Sequence, residues 1–208
     1  MVVGKCSIYA IVNWVKFSSK AELSSHIEEV VRGRIGGIRL TTSGLFIERA
    51  IEMGQHIKRS LPPSVPLMIN DHPDRIASIA FSIEACGVYL DENCNVEELR
   101  QQLGSKITIG VAYRGPVVSN AVDYLGVSIY PRKNQPGSGV LWGTELLRRV
   151  QDLTKKPTLI ETDTRYASCL VPFIDQETGM AVKGLQGKKS PHKFLNRLFD
   201  EKANWHDR

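Results

Sequence analysis

The feature that most constrains this chain is the alternation of short apolar runs ending in polar residues with segments of helical period. It is clearest from Pro66 to Asn93, PLMINDHPDRIASIAFSIEACGVYLDEN. An apolar run from Pro66 to Ile69 stops at Asn70-Asp71, a helical segment follows from Asp74 to Ala85, and a second apolar run from Gly87 to Leu90 stops at Asp91-Glu92. Strand, helix, strand in that order implies a parallel sheet, whose carboxyl strand ends are where such proteins place their chemistry. Asn70, Asp71, Asp91 and Glu92 would then offer clustered oxygen ligands of the kind that hard cations such as Mg²⁺ take together with substrate phosphates.

The same alternation runs through the rest of the chain. Cys6 to Val12 reads as a first strand, and Lys20 to about Arg32 as a helix capped by Ser18 or Ser19, with Leu23, Ile27 and Val30 at helical spacing. Ile38 to Thr41 is a second strand, followed by a long helix from Gly44 to about Arg59. After the two central strands, Val96 to Leu103 is helical and Ile107 to Val111 is a fifth strand. Between Ala112 and Asp123, Gly115-Pro116 leaves room for only about two helical turns before a strand from Tyr124 to Ile129. Tyr130 to Gly139, YPRKNQPGSG, reads as a loop, and Trp142 to Lys155 as a helix. Thr158 to Ile160 is a strand, Thr164 to Leu170 a short helix, Gly179 to Val182 an eighth strand, and Ser190-Pro191 opens a last helix.

Eight βα units in 208 residues sit at the lower size limit of the TIM (β/α)8 barrel, as a single domain over residues 1–208. A doubly wound open sheet is the alternative; the glycine-rich dinucleotide turn it uses after the first strand is absent here. The net charge of +5 is concentrated at one end, because residues 183–208 carry seven basic against three acidic residues. That pattern is a basic C-terminal helix, not the chain-wide footprint of a nucleic-acid binder. The four cysteines have no metal or redox spacing; Cys6, Cys86 and Cys169 adjoin apolar runs and read as buried thiols, leaving Cys94 as the one to test for reactivity. Free thiols fit a cytoplasmic protein, the Ile8–Val15 run is too short for a membrane span, and a homodimer is left open.

The quoted segments carry a resemblance. VPLMINDHPD followed by ACGVYLDEN, then KITIG, DYLGVSIYP and GMAVKG, appear in the order and spacing of the thiamine phosphate synthase and thiazole tautomerase superfamily. The resemblance implies a TIM barrel that joins a pyrimidine diphosphate to a thiazole phosphate with Mg²⁺ and loss of pyrophosphate. It places Asn70 and Arg39 as substrate ligands and Asp71 as a metal ligand, with Asp91 or Glu92 as the second. Lys183 and Lys188 are candidate phosphate ligands, and Arg132 and Lys133, in the loop after the sixth strand, candidate catalytic cations.

The departures lie at the same places. Gly37 and Thr41 replace the Gln and Lys that flank the family's Arg, and Cys94 stands where its second metal Asp belongs. Its Ile-Gly-Gly phosphate turn reads Ile160-Glu161-Thr162-Asp163, whose carboxylates repel phosphate and whose side chains block close backbone approach. The tautomerase His is replaced within Gly126-Val127. Each candidate also has a structural role open to it: Asp71 as a helix cap, Asp91 and Glu92 in the dipole of the next helix, Arg39 and Lys183 in ion pairs with Asp71, Glu161 or Asp163. Three functions fit: a working synthase whose phosphate site is rewired onto Lys188 or Lys189 in place of the glycine turn, a divergent barrel enzyme for a different small ligand, phosphorylated or not, or an inactive relative that binds a ligand or partner.

Overall fold

Eight parallel strands close into a barrel in sequence order in a computed structural model that describes residues 7–91, 94–115, 118–130, 136–175 and 177–206, without the side chains of 136–142 and 205–206. The strands are β1 (Ile8–Asn13), β2 (Gly37–Thr41), β3 (Leu67–Asn70), β4 (Gly87–Leu90), β5 (Thr108–Ala112), β6 (Tyr124–Ser128), β7 (Thr158–Asp163) and β8 (Thr178–Lys183). The helices are α1 (Lys20–Val31), α2 (Ile47–Ser60), α3 (Pro73–Ser82), α4 (Val96–Leu103), α5 (Pro136–Thr154), α6 (Ala167–Leu170) and α7 (Pro191–His206). This is the TIM barrel expected from the alternation, and β1 pairs with β8 to close it. None of the described helices is long and apolar enough to cross a membrane.

Strand residues alternate between two cores. Ile8, Ala10 and Val12 of β1, like Ile38 and Leu40 of β2, face the helices, where they meet Leu23, Ile27, Met53 and Ile57. The opposite set, Tyr9, Ile11, Met68, Tyr89, Tyr124, Leu159 and Ala181, fills the barrel interior. Three tyrosine rings fit there because glycines stand beside them. A Cβ at Gly110 would overlap the Tyr124 ring, and one at Gly126 would overlap the Tyr89 hydroxyl and lie 2.8 Å from Glu161 Oε1. Large-against-small complementarity of this kind is how a narrow barrel reaches interior packing density.

Helix starts follow local chemistry. Ser19 accepts from the Glu22 N–H at 3.1 Å and Glu22 reaches back to the Ser18 N–H at 2.8 Å, a reciprocal cap. Asn95 caps α4 by accepting from Glu98 N–H.

Several expectations are corrected. No helix forms among the described residues between β5 and β6, where Asn120 and Ala121 make a turn closed by the Val122 N–H on the Ser119 carbonyl, and the Asp123 carboxylate accepts from the Ile109 N–H. The apparent loop from Tyr130 to Gly139 ends early, because α5 starts at Pro136, a residue suited to a first helical turn. Strand β7 runs three residues past Ile160, so Glu161-Thr162-Asp163 is a strand end and not a turn. Cys169 is exposed, because Ala167 and Leu170, three apart on the single turn of α6, take the inward face. Cys6 lies outside the described residues.

Gly126→Ala is expected to lower stability by about 1–3 kcal/mol through overpacking, whereas Gly115→Ala, whose added Cβ meets nothing, stays within about 0.5 kcal/mol. Urea midpoints of the two variants check this.

Candidate functional site

The site follows from which residues the parallel strands deliver to their carboxyl ends. Asn13, Thr41, Asn70, Asp91, Asp163 and Lys183 come from the ends of β1, β2, β3, β4, β7 and β8, and all line one cavity of about 620 Å³. Arg39 and Glu161 are also among its lining residues. A smaller cleft of about 320 Å³ shares Ser43, Asn70 and Asp91 with it and adds Gly44, Asp71 and His72.

Arg39 and Glu161 form a salt bridge across the barrel interior. Nη1 of Arg39 donates to Oε1 of Glu161 at 2.5 Å, with the side chains 5% and 6% exposed. The strands that carry them, β2 and β7, are separated by β1 and β8, where Ile11 is in register with Arg39 and Ala181 with Glu161. The guanidinium carbon lies 3.9 Å from the centroid of the Tyr89 ring. Tyr89's hydroxyl is near the same carboxylate without hydrogen-bond alignment, and Arg39 Nε is likewise buried without an aligned partner. Burial alone would raise the Glu161 pKa, but the Arg39 charge and hydrogen bond outweigh it and hold the carboxyl below its usual range. The same partner drives Arg39 further up against the opposing effect of burial. Of the alternatives the sequence left for Arg39, the structure shows the ion pair with Glu161.

Asp71 is fully occupied. Its side chain is buried, and it accepts from the Thr42 hydroxyl, from the His72 N–H at 2.7 Å and from Arg75 Nη2 at 2.9 Å. Arg75 is four residues along α3, so the helix itself brings a cation onto the carboxylate. This donor set does not fit the Mg²⁺ that the family resemblance implies. A guanidinium already covers Asp71, so its charge is taken up within the chain.

Asn70 is present at the mouth and donates through Nδ2 to Asp91 Oδ2 at 2.9 Å and to the Tyr89 carbonyl at 3.1 Å. Asp91 is exposed and does not enter a helix, because α4 begins at Val96 and supplies its own first-turn acids, Glu97 and Glu98. Arg114, from beyond β5, donates through Nε to the Asp91 carbonyl at 3.0 Å.

Lys183 lies in register with Asp163, yet Asp163 pairs with Arg165 at 2.7 Å. The Lys183 ammonium instead sits 3.8 Å from the centroid of the Tyr130 ring. Lys188 is placed elsewhere, 5.1 Å from the Phe194 ring centroid and outside the cavity lining. Glu92, Arg132 and Lys133 lie outside the described residues. The sequence reading missed Lys16, Tyr130, Arg165 and Gln186 as lining residues. Lys16 and Tyr130 lie three and two residues past the ends of β1 and β6, and that closeness to carboxyl strand ends is the signal that could have found them.

Glu161 should leave a signature in acid. Its carboxyl is depressed in the folded state, so the stability it contributes is present above its ordinary pKa of 4.5 and is lost as pH falls below that value through the folded pKa. Thermal unfolding followed from pH 7 to pH 3 should show wild type losing more stability than Glu161→Gln over the acidic part of that range. Parallel curves for the two proteins would mean that the pair does not titrate as described.

Comparison with known proteins places these features. No family model matches the chain. Over 160 residues it is 28% identical to the thiamine-phosphate synthase of Koribacter versatilis, covering 72% of this chain and 74% of that protein. It is 27% identical over 158 residues to the thiamine-phosphate synthase of Natronomonas pharaonis, covering 71% and 72%. Among solved structures, a thiamine phosphate pyrophosphorylase from Pyrococcus furiosus superposes with a TM-score of 0.73 at 18% identity, covering 97% and 98% of the two chains. The resemblance read from the sequence is borne out: the chain is similar to thiamine-phosphate synthases, as a divergent relative that shares their fold.

Proposed function

We propose that this chain binds, at the mouth of its barrel, one of the phosphorylated small molecules that thiamine-phosphate synthases handle, and that it does so without the metal-assisted diphosphate half of the synthase site. The observation that carries this reading is the division of charge at the mouth. Arg39, the cation that the resemblance assigns to the substrate, is neutralised by Glu161, and Asp71, assigned to the metal, is neutralised by Arg75. Lys16 and Lys183 line the cavity, and no described carboxylate forms a salt bridge with either. Two lysines suit a single phosphate group better than a diphosphate, which ordinarily brings its own divalent cation.

The second reading is the complete reaction, coupling of a pyrimidine diphosphate to a thiazole phosphate with release of pyrophosphate. The curated relatives' names favour it. It requires charge stabilisation on the departing pyrophosphate, for which Arg132 and Lys133 are the residues of this chain to test. It also requires Arg75 to leave Asp71 before Mg²⁺ could bind there.

Titration calorimetry separates the two. The first reading expects thiazole phosphate to bind with or without Mg²⁺, and pyrimidine diphosphate to show no gain in affinity on adding Mg²⁺. A gain of tenfold or more for the diphosphate with Mg²⁺, together with pyrophosphate release when both ligands are present, would establish the second reading. Absence of binding by either phosphorylated ligand would leave the non-phosphorylated ligand as the function of the mouth.

A further inference from the structure

Every connection from one strand to the next carries a helix except that between β5 and β6, where the described residues form none. The chain crosses that position as a single pinned layer. Val118 and Ala121 pack on the core, and Arg100 of α4 donates through Nε to the Ala121 carbonyl at 3.2 Å and through Nη1 to the Ile107 carbonyl at 2.7 Å. Such a layer is thinner than the ~10 Å of a helix with its side chains, so the outer ring keeps a groove there, walled by α4 and α5.

The two walls carry opposite charge. Helix α4 turns its Arg100 flank to the groove, and Glu97 lies on that flank beside Ser119 of the connection. On α5, Gln151 donates to Thr178 Oγ1 at the start of β8, so the far side of the helix from it, bearing Leu146, Arg149 and Leu153, faces the groove. Leu153 is 61% exposed although apolar. Arg100 pairs with Asp123, which leaves Glu97 and Arg149 exposed and without a salt bridge among the described residues. Glu97 stands six residues before the end of α4 and Arg149 five before the end of α5, so the two lie at nearly the same height.

We propose that this groove is the surface on which a second copy of the chain docks, in a two-fold dimer whose axis runs along the groove. A two-fold set that way brings α4 of each copy against α5 of the other, so Glu97 meets Arg149 twice, once on each side of the axis. Leu146 and Leu153 are then withdrawn from water between the two ion pairs. An axis across the groove would instead set Glu97 against Glu97 and Arg149 against Arg149, so charge fixes the orientation. The surface lies on the outer ring, and the inference does not depend on what the mouth binds.

Sedimentation velocity of the full-length protein over a concentration series tests this. Wild type should sediment as a dimer. Arg149→Glu, which sets like charges against Glu97, should weaken the dimer about tenfold or more, and so should Glu97→Arg. Combining the two reverses both charges and should restore the dimer, an outcome that no folding defect produces. Leu153→Asp should also favour the monomer while leaving the far-UV circular dichroism unchanged. A wild type that stays monomeric at every concentration would overturn the proposal. So would a dimer indifferent to Arg149→Glu and Leu153→Asp, whose interface must lie elsewhere. Single variants that dissociate, with a double variant that does not recover, would overturn the pairing of α4 with α5.

Discussion

Arg39 and Glu161 meet inside the barrel, and the interior is arranged around that contact. Neither charge could remain in the interior without the other, because an unpaired buried ion costs several kcal/mol. The pair ties β2 to β7 over the intervening β1 and β8, with Ile11 and the small Ala181 as their register neighbours. Tyr89 supports the guanidinium from one side, and Gly126 leaves space beside both the Tyr89 hydroxyl and the carboxylate. The glycines, the tyrosines and the extended β7 are parts of one solution to placing two opposite charges in a narrow core.

The mouth inherits its character from this arrangement. Once Glu161 has taken Arg39, that guanidinium cannot also neutralise a diphosphate. Once Arg75 has taken Asp71, that carboxylate cannot also hold a cation. Two of the positions that most resemble a thiamine-phosphate synthase are therefore occupied by partners from within the chain. Also facing the cavity are Asn70, bonded to Asp91, the Lys183 and Tyr130 pair, Lys16, and the Asp163 and Arg165 pair.

Much of the fold was legible from local pattern. The β4 and α4 boundaries, Gly87–Leu90 and Val96–Leu103, agree with the apolar run and the Asn95 cap that mark them. The end of β7 was not legible, because Glu and Asp are poor strand formers and only a partner 122 residues away makes Glu161 acceptable there. The early start of α5 was hidden by a Pro-Gly-Ser-Gly composition that reads as loop, although proline is at home in a first turn. At the site, Asn70, Asp91 and Lys183 could be placed at strand ends from the alternation alone, whereas Arg39, put at a strand end by the family resemblance, is the third residue of β2. Their partners could not, since pairing across a barrel depends on closure and register rather than on spacing in the chain. For the same reason Asp71 looked available to a metal until Arg75, one helical turn along, proved to be bonded to it.

A double-mutant cycle on Arg39 and Glu161 tests this account most directly. Unfolding free energies would be measured for Arg39→Met, Glu161→Leu and the double variant. Each single substitution strands a buried charge and should cost about 3–5 kcal/mol, while the double variant, which removes both charges and keeps apolar volume, should fall close to wild type. A double variant destabilised by the sum of the two single changes would contradict the account, since the two residues would then act independently and the barrel would not depend on their contact.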